Sequence, residues 1–220
     1  MKIERKHIVL GVLFLLPLVV YMFFASGVNN FAKLDIVSKN VLNTKSYKPL
    51  LKEGTLVFED KITILSVLGE DVATKKAYAF NLKEKIYDRF KDFDDLQFVS
   101  LVTTDQSNEI TDFIETVNYT SSTDKWFFVE LTDEEIKTLF TSLQTDLELD
   151  NYHSTSQVFI IDKDLNLRGR AEDDDGLVRY SYDMSSVAEL SKEMVDDVKV
   201  ILAEYRLALK KYNRKNTTTD

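Results

Sequence analysis

Residues 8–25 read IVLGVLFLLPLVVYMFFA, an apolar run without a charge, close to the roughly 20 residues with which a helix crosses a bilayer core. Beyond it the apolar residues come in shorter groups, spaced either for strands or for one face of a helix. Residues 55–58 and 61–68 (KITILSVL) are β-branched and apolar around Glu59 and Asp60, which predicts a hairpin leading into a buried strand. Ala79, Leu82, Ile86 and Phe90 then recur at helical spacing. A second buried strand is predicted at 96–102 (LQFVSLV), then a short helix with Ile110, Phe113, Ile114 and Val117 on one face, then a third strand at 126–131 (WFFVEL). Thr132 and Glu135 have the spacing of a capping box, opening a helix whose stripe is Ile136, Leu139, Phe140 and Leu143. Residues 157–162 (QVFIID) and 165–169 (LNLRG) flank Lys163 and Asp164 as an antiparallel hairpin. Ser186 with Glu189 marks a second capping box, before a long helix that aligns Val187, Leu190, Met194, Val198, Ile201, Tyr205 and Leu209.

This order of strands and helices predicts an α/β domain, a central sheet with helices on both faces, preceded by one transmembrane helix. The chain divides into a cytoplasmic N-terminus at 1–7, an anchor at 8–27, a stalk at 28–53 that becomes the first edge of the domain, the folded domain at 54–210, and a polar, frayed tail at 211–220. Lys2, Arg5 and Lys6 precede the apolar run, so the positive-inside rule places the N-terminus in the cytoplasm and the domain on the extracytoplasmic, periplasmic side of the cell membrane. Lysines 33, 39, 45, 48 and 52 dilute that asymmetry. The competing reading is a cleaved signal peptide ending near Ala25, Ser26 and Gly27, against which the length of the apolar run and the lack of an A-x-A site both argue.

Composition narrows the chemistry. With 28 Lys plus Arg against 37 Asp plus Glu the net charge is −9, which argues against nucleic acid as a partner, since replacing counterions needs a basic face. There is no cysteine. Thiol redox activity, a disulfide, a thiolate metal site and lipidation at a cysteine are thereby excluded.

With its single N-terminal anchor, its order of elements, the segment Tyr152-His153-Ser154-Thr155 running into QVFIIDKDLNLRG, and its closing amphipathic helix, the chain resembles the Sco/SenC family over roughly residues 48–210. That family consists of membrane-anchored, thioredoxin-fold proteins that assist copper delivery to cytochrome c oxidase. The resemblance implies a thioredoxin-like central sheet and identifies His153 with the family's copper-ligand histidine. It also implies two cysteines of a C-x-x-x-C motif in the loop after the first core strand. Here that loop reads LGEDVATKKAYAF, with Val72 and Lys76 where the cysteines would fall. Soft thiolates with an imidazole select copper, so the resemblance carries the fold while the site is degenerate.

The expectation is therefore a non-catalytic domain without a cofactor or metal, held to the membrane through residues 8–27. A protein partner is expected, and the resemblance makes it a respiratory-complex component in oxidase biogenesis. The alternative is weak copper binding through His153 and nearby carboxylates around residues 173–175. An enzyme with a new site among Glu70, Asp71, Lys75 and Lys76 is a third reading. His7, the other histidine, lies across the membrane from His153. Asp162, Asp164, Asn166 and Asp173 mimic a calcium loop, but Leu167 replaces its glycine and Asp173 its bidentate glutamate, so turn chemistry is the better account. The acidic run 172–175 reads as a solvated, mobile loop. No G-x-S-x-G elbow or phosphate loop is present. Asn118 and Asn216 begin N-x-T glycosylation patterns.

Overall fold

The computed structural model describes residues 5–26, 33–43, 47–70, 72–104, 107–118, 121–173 and 176–217. Two compact units are present, Met1–Ala32 and Lys33–Asp220. The first is built on helix α1 (Arg5–Ser26), whose 22 residues include Pro17. At about 1.5 Å per residue such a helix is long enough for a hydrocarbon core of about 30 Å. Its Leu13, Phe14, Leu16, Tyr21 and Phe23 are all largely exposed, so apolar side chains lie on every side of it. The helix is long and apolar enough to cross a membrane.

The second unit contains β1 (Asp35–Ser38), β2 (Ile62–Gly69) and α2, which runs Val72–Leu82, through a π-helical turn Lys83–Tyr87, to Asp88–Phe90. Then follow β3 (Leu96–Val102), α3 (Ser107–Asn118), β4 (Trp126–Glu130), α4 (Asp133–Ser142), β5 (Gln157–Ile161), β6 (Leu167–Gly169) and β7 (Tyr182–Asp183). Helix α5 closes the chain as Val187–Glu189, a π-helical turn Leu190–Met194, and Val195–Thr217. The sheet order is β1-β6-β5-β2-β3-β4, with β7 also on β5. Strands β2, β3 and β4 are parallel, as their helical crossovers require. Strand β5 is antiparallel to β2, β6 and β7 to β5, and β1 to β6.

Both faces of the sheet are covered, which is why β2 and β3 are apolar runs buried along their whole length. Successive residues point to opposite faces. Ile64, Phe98, Phe128 and Ile160 meet Leu82 of α2, Phe113 of α3, and Met194 and Val198 of α5. Leu65, Val99, Val129 and Phe159 meet Phe58 and, from α4, Ile136 and Leu139. At the centre of the sheet, polar groups of β2, β3 and β4 pair with one another. Ser66 Oγ and Ser100 Oγ lie 2.7 Å apart, and Trp126 Nε1 donates to Ser100 Oγ at 2.8 Å.

Four local expectations are corrected. Residues 55–58 do not form a hairpin with β2, because β2 already pairs on both edges with β3 and β5. Leu56 instead bridges to Tyr47. Ser186 Oγ accepts from Glu189 N at 3.2 Å, but the return half of that capping box is missing, since the Glu189 carboxylate accepts from Asp183 N and pairs with Arg179. Helix α5 continues past Lys210 to Thr217. The acidic run is not simply solvated, because Asp173, 8% exposed, lies between Arg170 and Arg179. Asp174 and Asp175 lie outside the described residues.

Candidate functional site

Parallel α/β sheets collect ligands outside the carboxyl ends of their strands, and the predicted histidine arrives there. Gly69 ends β2 in the left-handed region, with φ +57°, and a Cβ on it would overlap the carbonyl oxygens of Tyr152 and His153. Only glycine permits that approach. It brings the loop 150–155 onto the strand end, where Glu70 N donates to Tyr152 O at 3.0 Å and Thr155 N to Val67 O at 3.0 Å. Asp150 shapes the loop, its carboxylate accepting from Tyr152 N (3.0 Å), Ser154 N (2.9 Å) and Ser154 Oγ (2.7 Å), with Lys75 Nζ 3.4 Å away. Partial burial works to raise the Asp150 carboxyl, but the bonds from Ser154, Tyr152 and Lys75 together outweigh it and hold the group below the usual carboxylate range. At the apex His153 is itself left-handed, φ +53°, a conformation uncommon outside glycine.

His153 Nδ1 lies 3.4 Å from Glu70 Oε1 and 3.6 Å from Asp133 Oδ1. The nitrogen is shut off from solvent and has no hydrogen-bond partner among the described residues. The imidazole is 17% exposed and the two carboxylates roughly half, at 46% and 48%, so the cluster opens to solvent on its acidic side. Asp133 is set by the capping box predicted at Thr132. Glu135 N donates to Thr132 Oγ1 at 3.3 Å, and Thr132 N to Glu135 Oε2 at 2.9 Å. Those bonds from the Thr132 backbone and side chain lower the Glu135 carboxyl. Between the ends of β2 and β4 stands Thr103, 3% exposed. Its amide donates to Gly69 O at 3.1 Å, and its Oγ1 has no partner among the described residues.

The other candidates separate from this point. Val72, at one family cysteine position, is 1% exposed in the core. Lys76, at the other, pairs with Asp112. Lys75 is held by Asp150, and Asp71 lies outside the described residues. Of that set, Glu70 faces His153 while Lys75 and Lys76 pair with Asp150 and Asp112. Among the described residues the carboxylates that meet His153 are Glu70 and Asp133, whereas Asp173 pairs with Arg170 and Arg179. Asp162 accepts from Asp164 N and Asn166 N, at 3.0 and 2.9 Å, as turn chemistry requires. The glycosylation patterns at Asn118 and Asn216 run into residues outside the described ones. Asp133 escaped the sequence reading, although its place directly after a capping threonine at a strand end was a signal. A thiolate copper centre does not fit here, because a core valine and a paired lysine stand where the soft donors would be needed and the groups facing His153 are hard carboxylate oxygens.

No family model and no curated protein sequence matches the chain. Solved structures do. One is BsSco, of the Sco family of cytochrome c oxidase assembly proteins, at 11% identity over 77% of this chain and 98% of that one, TM-score 0.55. A Bacteroides thetaiotaomicron protein assigned as a protein disulfide isomerase matches at 11% identity over 78% and 95%, TM-score 0.46. The copper-bound ScoI of Arabidopsis thaliana matches at 15% identity over 66% and 90%, TM-score 0.40. The fold predicted from the order of elements, a central sheet flanked by helices, is thus a Sco-like thioredoxin fold.

Proposed function

We propose that this chain is a membrane-anchored, extracytoplasmic Sco-related protein that acts by binding a partner during respiratory oxidase assembly, without thiol chemistry. One observation carries the reading. The loop bearing His153 is kept in a strained, heavily bonded conformation at the strand ends, while the positions of the family's cysteines hold a core valine and a paired lysine. Backbone held in an unfavourable region by its surroundings points to a working surface. The apolar helix α1 supports the anchor, and Lys2, Arg5 and Lys6 ahead of its apolar run support a cytoplasmic N-terminus. The respiratory role rests on the resemblance to Sco proteins alone.

The test is made in membranes of the source organism. A photo-crosslinking residue in place of Tyr152, 55% exposed beside His153, is expected to trap an oxidase subunit or assembly protein. Loss of the chain is expected to lower assembled oxidase, measured by haem difference spectra, with recovery on restoring the full chain. Unchanged oxidase content in its absence would remove the respiratory reading.

A further inference from the structure

We infer that Glu70, Asp133 and His153 form a binding site for a divalent first-row cation of the zinc class, an assignment independent of any respiratory role. One ligand atom from each of the three residues can be chosen so that all lie within 4.8 Å of one another. Bonds of about 2.0–2.1 Å at a tetrahedral centre set donor atoms about 3.3 Å apart. The two observed separations from His153 Nδ1, 3.4 and 3.6 Å, match that edge. Neither contact is a hydrogen bond, and the nitrogen is left without a partner among the described residues.

This is more than an acidic surface. A nitrogen closed to solvent normally finds a partner, and here the groups it faces are two carboxylates. Among the described residues neither carboxylate pairs with a lysine or arginine, since Lys75 is engaged by Asp150 and Lys76 by Asp112. The loop is braced around the ring by Gly69, Glu70 N and the Asp150 turn, the outer support that orients a metal-ligating histidine. The buried hydroxyl of Thr103, next to Gly69 in the sheet, adds a polar group at the same strand ends. Three protein ligands leave one position of a tetrahedral ion open to water or to a partner's donor. Imidazole and carboxylate oxygens suit zinc and its divalent neighbours, with copper(II) above zinc in affinity, whereas copper(I) prefers sulfur.

The competing account is an imidazolium ion paired with both carboxylates and needing no metal. The test uses the full chain in detergent micelles, stripped with EDTA, with zinc chloride as the probe in equilibrium dialysis and calorimetry. One zinc per chain is expected, with a rise in Tm. Replacing Glu70→Gln or Asp133→Asn should weaken binding about 10- to 100-fold each, and His153→Ala should abolish it. Glu109→Gln, an exposed acid of α3, should leave it unchanged. The single carboxylate variants decide the matter if His153→Ala does not fold. Substoichiometric zinc, binding indifferent to Glu70 and Asp133, tighter retention of copper(I) than of zinc, or a raised imidazole titration by NMR with no zinc uptake would each overturn the assignment. Failure here leaves the oxidase phenotype untouched, and loss of that phenotype leaves zinc binding untouched.

Discussion

Two charged clusters in the same domain are built on opposite principles. Around β6 and α5, cations and anions are matched. Arg168, 4% exposed, donates to Asp162 at 3.0 Å, to Glu204 at 2.7 Å and to Leu34 O at 3.1 Å. Arg170 binds Asp197 and Asp173, and Arg179 binds Asp173, Glu189 and Glu193. Tyr182 donates to Asp197 at 2.5 Å, its hydroxyl kept protonated by burial and by the Asp197 charge. At the carboxyl end of β2 the balance fails, since His153 faces two carboxylates that have no arginine or lysine among the described residues. Matched buried charge fixes how segments dock, whereas unmatched charge at a strand end leaves valence for something else. The first cluster reads as architecture and the second as a site.

The sharpest way to break that contrast is to unbalance the matched cluster. Arg168→Met would leave Asp162, 1% exposed, as an uncompensated buried anion, at an expected loss of about 3–5 kcal/mol in urea denaturation. A loss under about 1 kcal/mol would mean that the matched cluster is as dispensable as a surface ion pair.

Gly69→Ala comes next. Left-handed strain and overlap with the carbonyls of Tyr152 and His153 predict a loss of roughly 2–3 kcal/mol by the same measurement. Zinc uptake should fall with it, because the His153 loop must lift from the strand. Thr132→Ala should cost about 1 kcal/mol, the usual value of an N-cap, read as a Tm shift.

Smaller still is the contribution of Asp150. Its carboxyl is lowered in the folded state, so its stabilising effect is complete above the unfolded value of about 3.9 and disappears as pH falls from there through the folded value. Acid unfolding curves of the protein and of Asp150→Asn should therefore differ near neutrality and converge in that acidic window. The smallest effect sharpens the comparison most. Glu70→Gln combined with Asp133→Asn should change metal-free stability by no more than about 0.5 kcal/mol. A large loss would place His153 in a structural ion-pair network after all.

Much of this was legible because it rests on periodicity. The runs at 61–68 and 96–102 read as buried strands, and Thr132 with Glu135 gave the start of α4. His153 stood out through the segment leading into β5. What misled was local signal without knowledge of neighbours. Residues 55–58 looked like a hairpin arm until β3 and β5 occupied both edges of β2. Asp173 looked like part of a solvated run until two arginines, one on either side of it in the chain, folded over it. Glu70 was noticed among the wrong companions, and Asp133 passed unnoticed, because each lies far along the chain from His153.

By itself the amino-acid order determined which segments become strands and helices, since burial on one face or two imposes a spacing that can be read locally. It also determined that none of these 220 residues can supply a thiolate, because there is no cysteine among them. Only the tertiary structure decided that residues 70, 133 and 153 share one point in space. Parallel crossovers bring the ends of β2 and β4 to the same edge of the sheet, and the turn around Asp150 delivers the imidazole to it. Whether a charge is paired depends on distances across the fold, and linear order carries no direct record of those.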